Sequence, residues 1–181
     1  MLAHRTATTA DIPAIRTLMA LAIDQLQEGF LDARTIAASR AVMGLDTQLI
    51  ADGTYLAVEQ AGVLAGCGGW SRRATLFGGN HTTARDDSLL DPARDPARVR
   101  AMYTHPHFIR RGIGRLILAL SEAAAAADGF NRAELAATLA GVPLYRACGW
   151  TEIEPFLSAP IDGVRVPLVR MGKDLRGTIC G

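Results

Sequence analysis

Apolar residues recur at helical spacing in two long stretches of this chain and at strand spacing in several short ones. Ile12, Ile15, Leu18, Met19, Ala22 and Ile23 share one face of a helix that Thr9 or Asp11 would start, with Pro13 in its first turn, where a missing N–H costs nothing. Ile113, Leu116, Ile117, Leu120, Ala123, Ala124 and Ala127 mark a second helix that opens at Gly112 and stops before Gly129, a residue suited to a left-handed cap. A weaker helix is predicted over 32–43 and a short one over 143–148, closed by Gly149. Strands are predicted at 4–8, at 99–105 (ended by Pro106), at 132–139 and at 165–171. The clearest hairpin joins 55–59 to 63–70 through a turn at Gln60–Gly62. Gly66, Gly68 and Gly69 leave its second strand with little bulk, a sign that something packs closely there. The order β-α-α-β-β-β-α-β-α-β predicts a mixed α/β sheet covered by helices.

Residues 71–97 break this pattern: arginines, aspartates, prolines and Gly78-Gly79 occur without periodicity. Such a stretch is long for a connection, and is expected to be functional, partly ordered or mobile.

Composition narrows the class. The chain has 181 residues, 49% hydrophobic and 20% charged, with a formal charge of +1, which excludes disorder, collagen-like repeats and coiled coil. One domain over 1–175 with a tail at 176–181 is expected. Without a basic field, neither nucleic acid nor an anionic membrane is an expected partner. Cys67, Cys148 and Cys180 show no C-x-x-C spacing and read as reduced thiols. With no signal region at the N-terminus and no long apolar run, a cytoplasmic protein is expected.

The chemistry centres on Phe108-Ile-Arg-Arg-Gly-Ile-Gly-Arg115, between a strand and a helix. A helix N-terminus offers unpaired N–H groups and a positive dipole end, glycine lets a phosphate approach, and Arg110, Arg111 and Arg115 add donors. The alternative is a tight turn beside a solvated arginine face. Ile117 occupies the third position of a dinucleotide fingerprint, and Lys173, the only lysine, is far from any P-loop position, so NAD and ATP are disfavoured. His81, His105 and His107 lack metal-site spacing, and no metal is expected.

Val99-Arg-Ala-Met-Tyr-Thr-His-Pro106 with Arg110-Arg-Gly-Ile-Gly-Arg115, followed by Pro143-Leu-Tyr-Arg-Ala-Cys-Gly-Trp150, resembles the Gcn5-related N-acetyltransferase superfamily. The likeness runs over most of the chain, weakly from Arg5 to the hairpin. It implies a mixed, mostly antiparallel sheet flanked by helices, and acetyl-CoA as co-substrate. In that family the strand at Met102, Tyr103 and Thr104 pairs with the pantetheine arm. The turn holding Arg110, Arg111, Gly112, Ile113, Gly114 and Arg115 takes the pyrophosphate. Ile109 departs from the family's first turn position, where Arg110 or Arg111 can substitute. Tyr145 stands at the general-acid position, since a phenol can protonate a departing thiolate; the alternative is a tyrosine that packs the short helix against the sheet. Thr138 stands where many relatives carry a cofactor-binding asparagine.

No base is assigned. The strand over 99–104 has no carboxylate; Glu59 ends a hairpin strand, and His105 precedes a proline. The resemblance places acceptor recognition near 26–34 and 71–97, where Glu28 and Asp32 could attract an amine and Arg72 and Arg73 an anion, or serve as surface and local-core residues with Trp70 and Phe77. The expected activity is direct acetyl transfer to a small-molecule amine by a protein that can form a homodimer. The alternatives are an idle acyl-CoA-binding protein and a protein or peptide N-acetyltransferase.

Overall fold

The computed structural model describes residues 1–82 and 85–177. Its strands are β1 (Leu2–Thr6), β2 (Tyr55–Gln60), β3 (Val63–Ser71), β4 (Ala97–Thr104), β5 (Arg132–Thr138), β6 (Thr151–Leu157) and β7 (Pro167–Asp174). Its helices are α1 (Ile12–Leu26), α2 (Ala33–Val42), α3 (Thr47–Ala51), α4 (Ile113–Ala127) and α5 (Val142–Ala147). The strands form one sheet in the order β1-β2-β3-β4-β5-β7-β6. Every neighbouring pair is antiparallel except β4 and β5, which run parallel. The mixed, mostly antiparallel sheet expected from the resemblance is therefore present.

Two helical layers cover the sheet. On one face α1 buries Ile15, Leu18, Met19, Ala22 and Ile23 against Tyr55, Ala57 and Cys67. On the other, Ile113 and Ile117 of α4 pack on Val58 and Ala65. The glycines of β3 serve this packing. A Cβ on Gly66 would overlap Ile113, and one on Gly69 would overlap the Thr54 carbonyl on β2's approach.

The parallel pair determines where a site can form. β4 and β5 pair only at Ala97↔Ala133 and Arg98↔Glu134, after which they separate. The closed end is pinned by charge: Glu134 of β5 accepts from Arg98 of β4 at 2.8 Å and from Arg170 of β7 at 2.7 Å. Further along β4, Ala101 adopts φ +51° where the β3 register slips between Cys67 and Gly69. This bulge turns the second half of β4 away from regular pairing.

Several elements differ from expectation. The first strand lies at Leu2–Thr6, rather than 4–8, because Thr6 pairs with Leu56 in register with β2. Helix α3 is a single five-residue turn capped by Asp46, too short to show a period. Strand β6 was not predicted either: its residues are mostly exposed at the sheet edge, where Pro155 is tolerated and apolar alternation is weak. The stretch 71–97 holds no long helix or strand among its described residues, yet it is tied down. Ala74 N–H donates to the Ser88 carbonyl at 3.0 Å and Thr75 N–H to that of Asp86 at 2.8 Å. Arg73 pairs with Asp52 at 2.7 Å. The tail expected at 176–181 falls, from 178 onward, outside the described residues, as does Cys180.

Candidate active site

The gap between β4 and β5 opens into a cavity of about 840 Å³ that crosses the sheet from the α4–α5 side to the α1–α2 side. At the first end β4 leads into the turn at 105–112. Arg110 takes φ +64° and Gly112 φ +81°, and the chain then enters α4. The first α4 hydrogen bond joins Leu116 N–H to the Gly112 carbonyl at 2.9 Å. The amides of Ile113, Gly114 and Arg115 therefore precede any helical acceptor and point out of the helix start. Nothing lies within 4 Å of where a Gly112 side chain would begin. Amides, dipole and open approach together suit a phosphate or pyrophosphate.

Met102, Tyr103, Thr104, Arg110, Gly112, Ile113, Gly114, Arg115, Thr138 and Tyr145 all line this one cavity. Arg111 does not: its guanidinium lies 5.3 Å from the centre of the Phe108 ring and donates to Gln60 at 3.4 Å. Thr138 Oγ1 accepts from Gly141 N–H at 3.2 Å, which fixes the start of α5. Tyr145, held on α5 with its ring edge-on to Trp150 at 6.2 Å, directs its hydroxyl across the gap to the Met102 sulfur, 3.9 Å away. Burial raises the Tyr145 phenol above its ordinary range, so it stays protonated. Trp150 is in turn anchored by Glu122, which accepts from its indole N–H at 2.8 Å and from Lys173 at 2.7 Å.

The candidate bases stand elsewhere. Glu59 is paired with Arg5 at 2.9 Å on the β1–β2 side of the sheet, and His105 Nδ1 accepts from His107 N–H at 3.2 Å. Neither lines the cavity. Arg72 pairs with Asp128 and Arg73 with Asp52, so these two face other partners than a ligand. Asp32 caps α2 through Thr35 N–H, and Glu28 is exposed. Cys67 is fully buried and its thiol is pushed up to about 12 by that burial, which leaves it inert as a nucleophile.

The far wall was not legible as a site. It is built by Ile23 and Leu26 of α1, Val42 and Met43 at the end of α2, Phe77 from the long connection, and Leu168 of β7. Its one charge among the described residues is Arg100, a buried guanidinium that donates to Asp46 at 2.6 Å and to the Gly78 carbonyl at 2.8 Å. Asp46 is wholly buried and also takes Arg85 at 3.0 Å. The signal that could have marked Arg100 is a charge in the middle of a strand otherwise fit for the interior.

The family model described as the acetyltransferase (GNAT) family matches residues 16–150. No curated protein matches the sequence significantly. Among solved structures, the GCN5-related N-acetyltransferase from Rhodopseudomonas palustris superposes with a TM-score of 0.69 at 18% identity, over 95% of this chain and 94% of that one. YncA from Salmonella typhimurium, solved with its cofactor acetyl-CoA, gives 0.62 at 20% identity, over 99% and 96%. A ribosomal-protein-alanine N-acetyltransferase from Brucella melitensis gives 0.64 at 19% identity, over 95% and 99%. At these identities the likeness is one of fold.

Proposed function

The chain belongs to the acetyltransferase (GNAT) family, and from that premise we propose that it transfers an acetyl group from acetyl-CoA directly to the amine of a small molecule. One observation carries this reading. The β4–β5 ladder ends after Arg98↔Glu134, and the start of α4 and Tyr145 both line the resulting cavity. A thioester arm entering between the strands runs along Met102 to Thr104 on the edge of β4 that β5 no longer pairs. Its pyrophosphate finds the amides of Ile113, Gly114 and Arg115, with the Arg110 and Arg115 guanidiniums beside them. The arginines compensate for Ile109, and the Thr138 hydroxyl retains one donor for the arm.

The chemistry then needs few groups. The amine nitrogen attacks the thioester carbonyl carbon, the C–S bond breaks, and the Tyr145 proton passes to the departing sulfur. The proton lost by the amine leaves to water, which later returns one to Tyr145. No cysteine intermediate is required.

A second reading, acetylation of a peptide or protein N-terminus, draws support from the fold shared with the Brucella ribosomal-protein-alanine enzyme. An idle acyl-CoA-binding protein is the third.

A thermal-shift titration with acetyl-CoA, CoA, NAD and ATP tests the cofactor half of this proposal. A ligand at 100-fold its Kd adds about 2.7 kcal/mol, a rise of several degrees for a chain of this size. Stabilisation by acetyl-CoA and CoA alone is expected; stabilisation by NAD or ATP alone overturns the reading. Thiol release with an amine then separates an enzyme from an idle binder.

A further inference from the structure

We propose that the acceptor is an amine with an apolar aryl or branched alkyl body, carrying no second positive charge, and that it is taken from solution as the free base. The inference rests on the acetyl-transfer reading and concerns only the far wall of the same cavity.

The charge inventory of that cavity is one-sided. Among the described residues lining it there is no aspartate, glutamate or histidine. The charged groups are Arg110 and Arg115 at the turn and Arg100 on the far wall; the remaining titratable ones are the phenols of Tyr103 and Tyr145. Asp46 stands behind Arg100, wholly buried and taken up by Arg100 and Arg85, so its charge does not reach a ligand. Glu28 and Asp32, exposed acids of the α1–α2 connection, lie outside the lining, and Asp32 is committed to its helix cap.

An ammonium ion entering this space would lose hydration and gain no counter-charge. A polyamine, an aminoglycoside or a lysine side chain bearing further cations meets that cost more than once. A neutral amine on an apolar body meets none of it. Its body instead gains burial against Ile23, Leu26, Val42, Met43, Phe77 and Leu168. The rim adds Phe30, half exposed in the α1–α2 connection, and Phe77 packs against Phe156 with ring centres 5.6 Å apart and planes tilted by 48°. The one uncharged polar side chain on this wall is Gln27, whose Oε1 has no hydrogen-bond partner among the described residues.

This also accounts for the missing base. A cavity that admits only the uncharged amine leaves deprotonation to bulk solvent, so no carboxylate is needed beside the reacting carbon. The rate then follows the free-base fraction of each amine.

The test is thiol release from acetyl-CoA with phenethylamine, tryptamine, 1,5-diaminopentane, spermidine and an alanine-initiated peptide, each across pH 6 to 10. The expected result is a kcat/KM at least about tenfold higher for the two aryl amines than for the diamine. It should rise tenfold per pH unit up to the pKa of each amine and then level. A preference for spermidine or the peptide, or a profile independent of the amine's own pKa, overturns the inference. So does transfer to none of the aryl amines by protein that acetyl-CoA stabilises, whereas absence of that stabilisation strikes the acetyl-transfer reading itself. Leu26→Glu adds the charge the wall lacks, with Leu26→Gln as its uncharged control. Only the glutamate variant is expected to shift preference toward the diamine, and equal behaviour of the two variants overturns the charge argument.

Discussion

The Tyr145 hydroxyl rests 3.9 Å from the Met102 sulfur, spanning the gap that the parted strands β4 and β5 leave open. A thioether is a weak acceptor, so the phenol holds its proton without a strong partner and can give it up when a better acceptor arrives. Burial, which raises its pKa, keeps it protonated throughout the range in which an enzyme works. In the proposed reaction Tyr145→Phe keeps the ring on Trp150 and removes only the proton. Turnover is expected to fall about 10²-fold or more, with the Kd for acetyl-CoA unchanged within about twofold. Unchanged turnover would remove Tyr145 from the mechanism. The wild-type profile should also lack an alkaline limb near pH 10, because a raised phenol pKa moves that loss upward.

The cofactor half of the cavity was readable because its chemistry depends on backbone. A turn with φ +81° at Gly112 needs glycine, and a helix start announces itself in the sequence that follows. The far half was not readable. Ile23, Leu26, Val42 and Leu168 sit at the same periodic positions that build the core, and nothing local separates a residue lining a cavity from one filling it. Arg100 and Asp46 are 54 positions apart, so their pairing appears only once the segment capping α3 is folded over the sheet. Arg72 and Arg73 mislead for the converse reason. Their sequence suits an anion, but Asp128 and Asp52, distant in the chain, neutralise them. The same holds for α3 and β6, which owe their form to a cap and to β7 rather than to periodicity.

The glycines of β3 make a claim about packing that stability measurements can check. A Cβ on Gly69 would overlap the Thr54 carbonyl and press on the Tyr55 Cα, backbone atoms of the adjoining strand that have no rotamer to yield. Gly69→Ala is expected to cost about 3 kcal/mol in urea unfolding. Gly163→Ala, at φ +77° with open space around it, should cost only about 1 kcal/mol. Equal costs at the two positions would mean that β2 and β3 are less closely apposed than described.

Stability should also fall on the alkaline side. Cys67, Tyr55 and Tyr103 are buried together, and burial raises each above its ordinary value, the thiol to about 12. A group whose pKa is higher folded than unfolded contributes its full stabilisation below the unfolded pKa and loses it as pH rises toward the folded one. The unfolded thiol titrates near 9.0 and the phenols near 10.0. Urea midpoints are therefore expected to stay level from these three groups up to about pH 8.5 and to decline steadily above pH 9. Cys67→Ser should delay the onset by about one pH unit, leaving the phenols to set it. A midpoint that holds level to pH 11 would contradict the burial of this cluster.

Gln27 poses a conflict between folding and binding. It is 3% exposed, its Nε2 donates to the Ile23 carbonyl at 3.2 Å, and its Oε1 has no partner. The Nε2 bond caps a carbonyl at the end of α1, worth about 1 kcal/mol, whereas a buried acceptor without a donor costs about 1–3 kcal/mol. A leucine of similar length would fill the same space among Ile23, Leu26 and Met43 without that penalty. Gln27→Leu is expected to raise the Tm by roughly 2–4 °C, on the scale of 1 kcal/mol for a chain of this size. If the amide is retained to receive an N–H or O–H of the acceptor, the same change should raise the acceptor KM several-fold and leave the Kd for acetyl-CoA unaltered. A stabilised protein with an unchanged acceptor KM would mean that the oxygen is satisfied by water and recognises nothing. A destabilised one would mean that the Nε2 bond closing the end of α1 matters more than the orphaned oxygen costs.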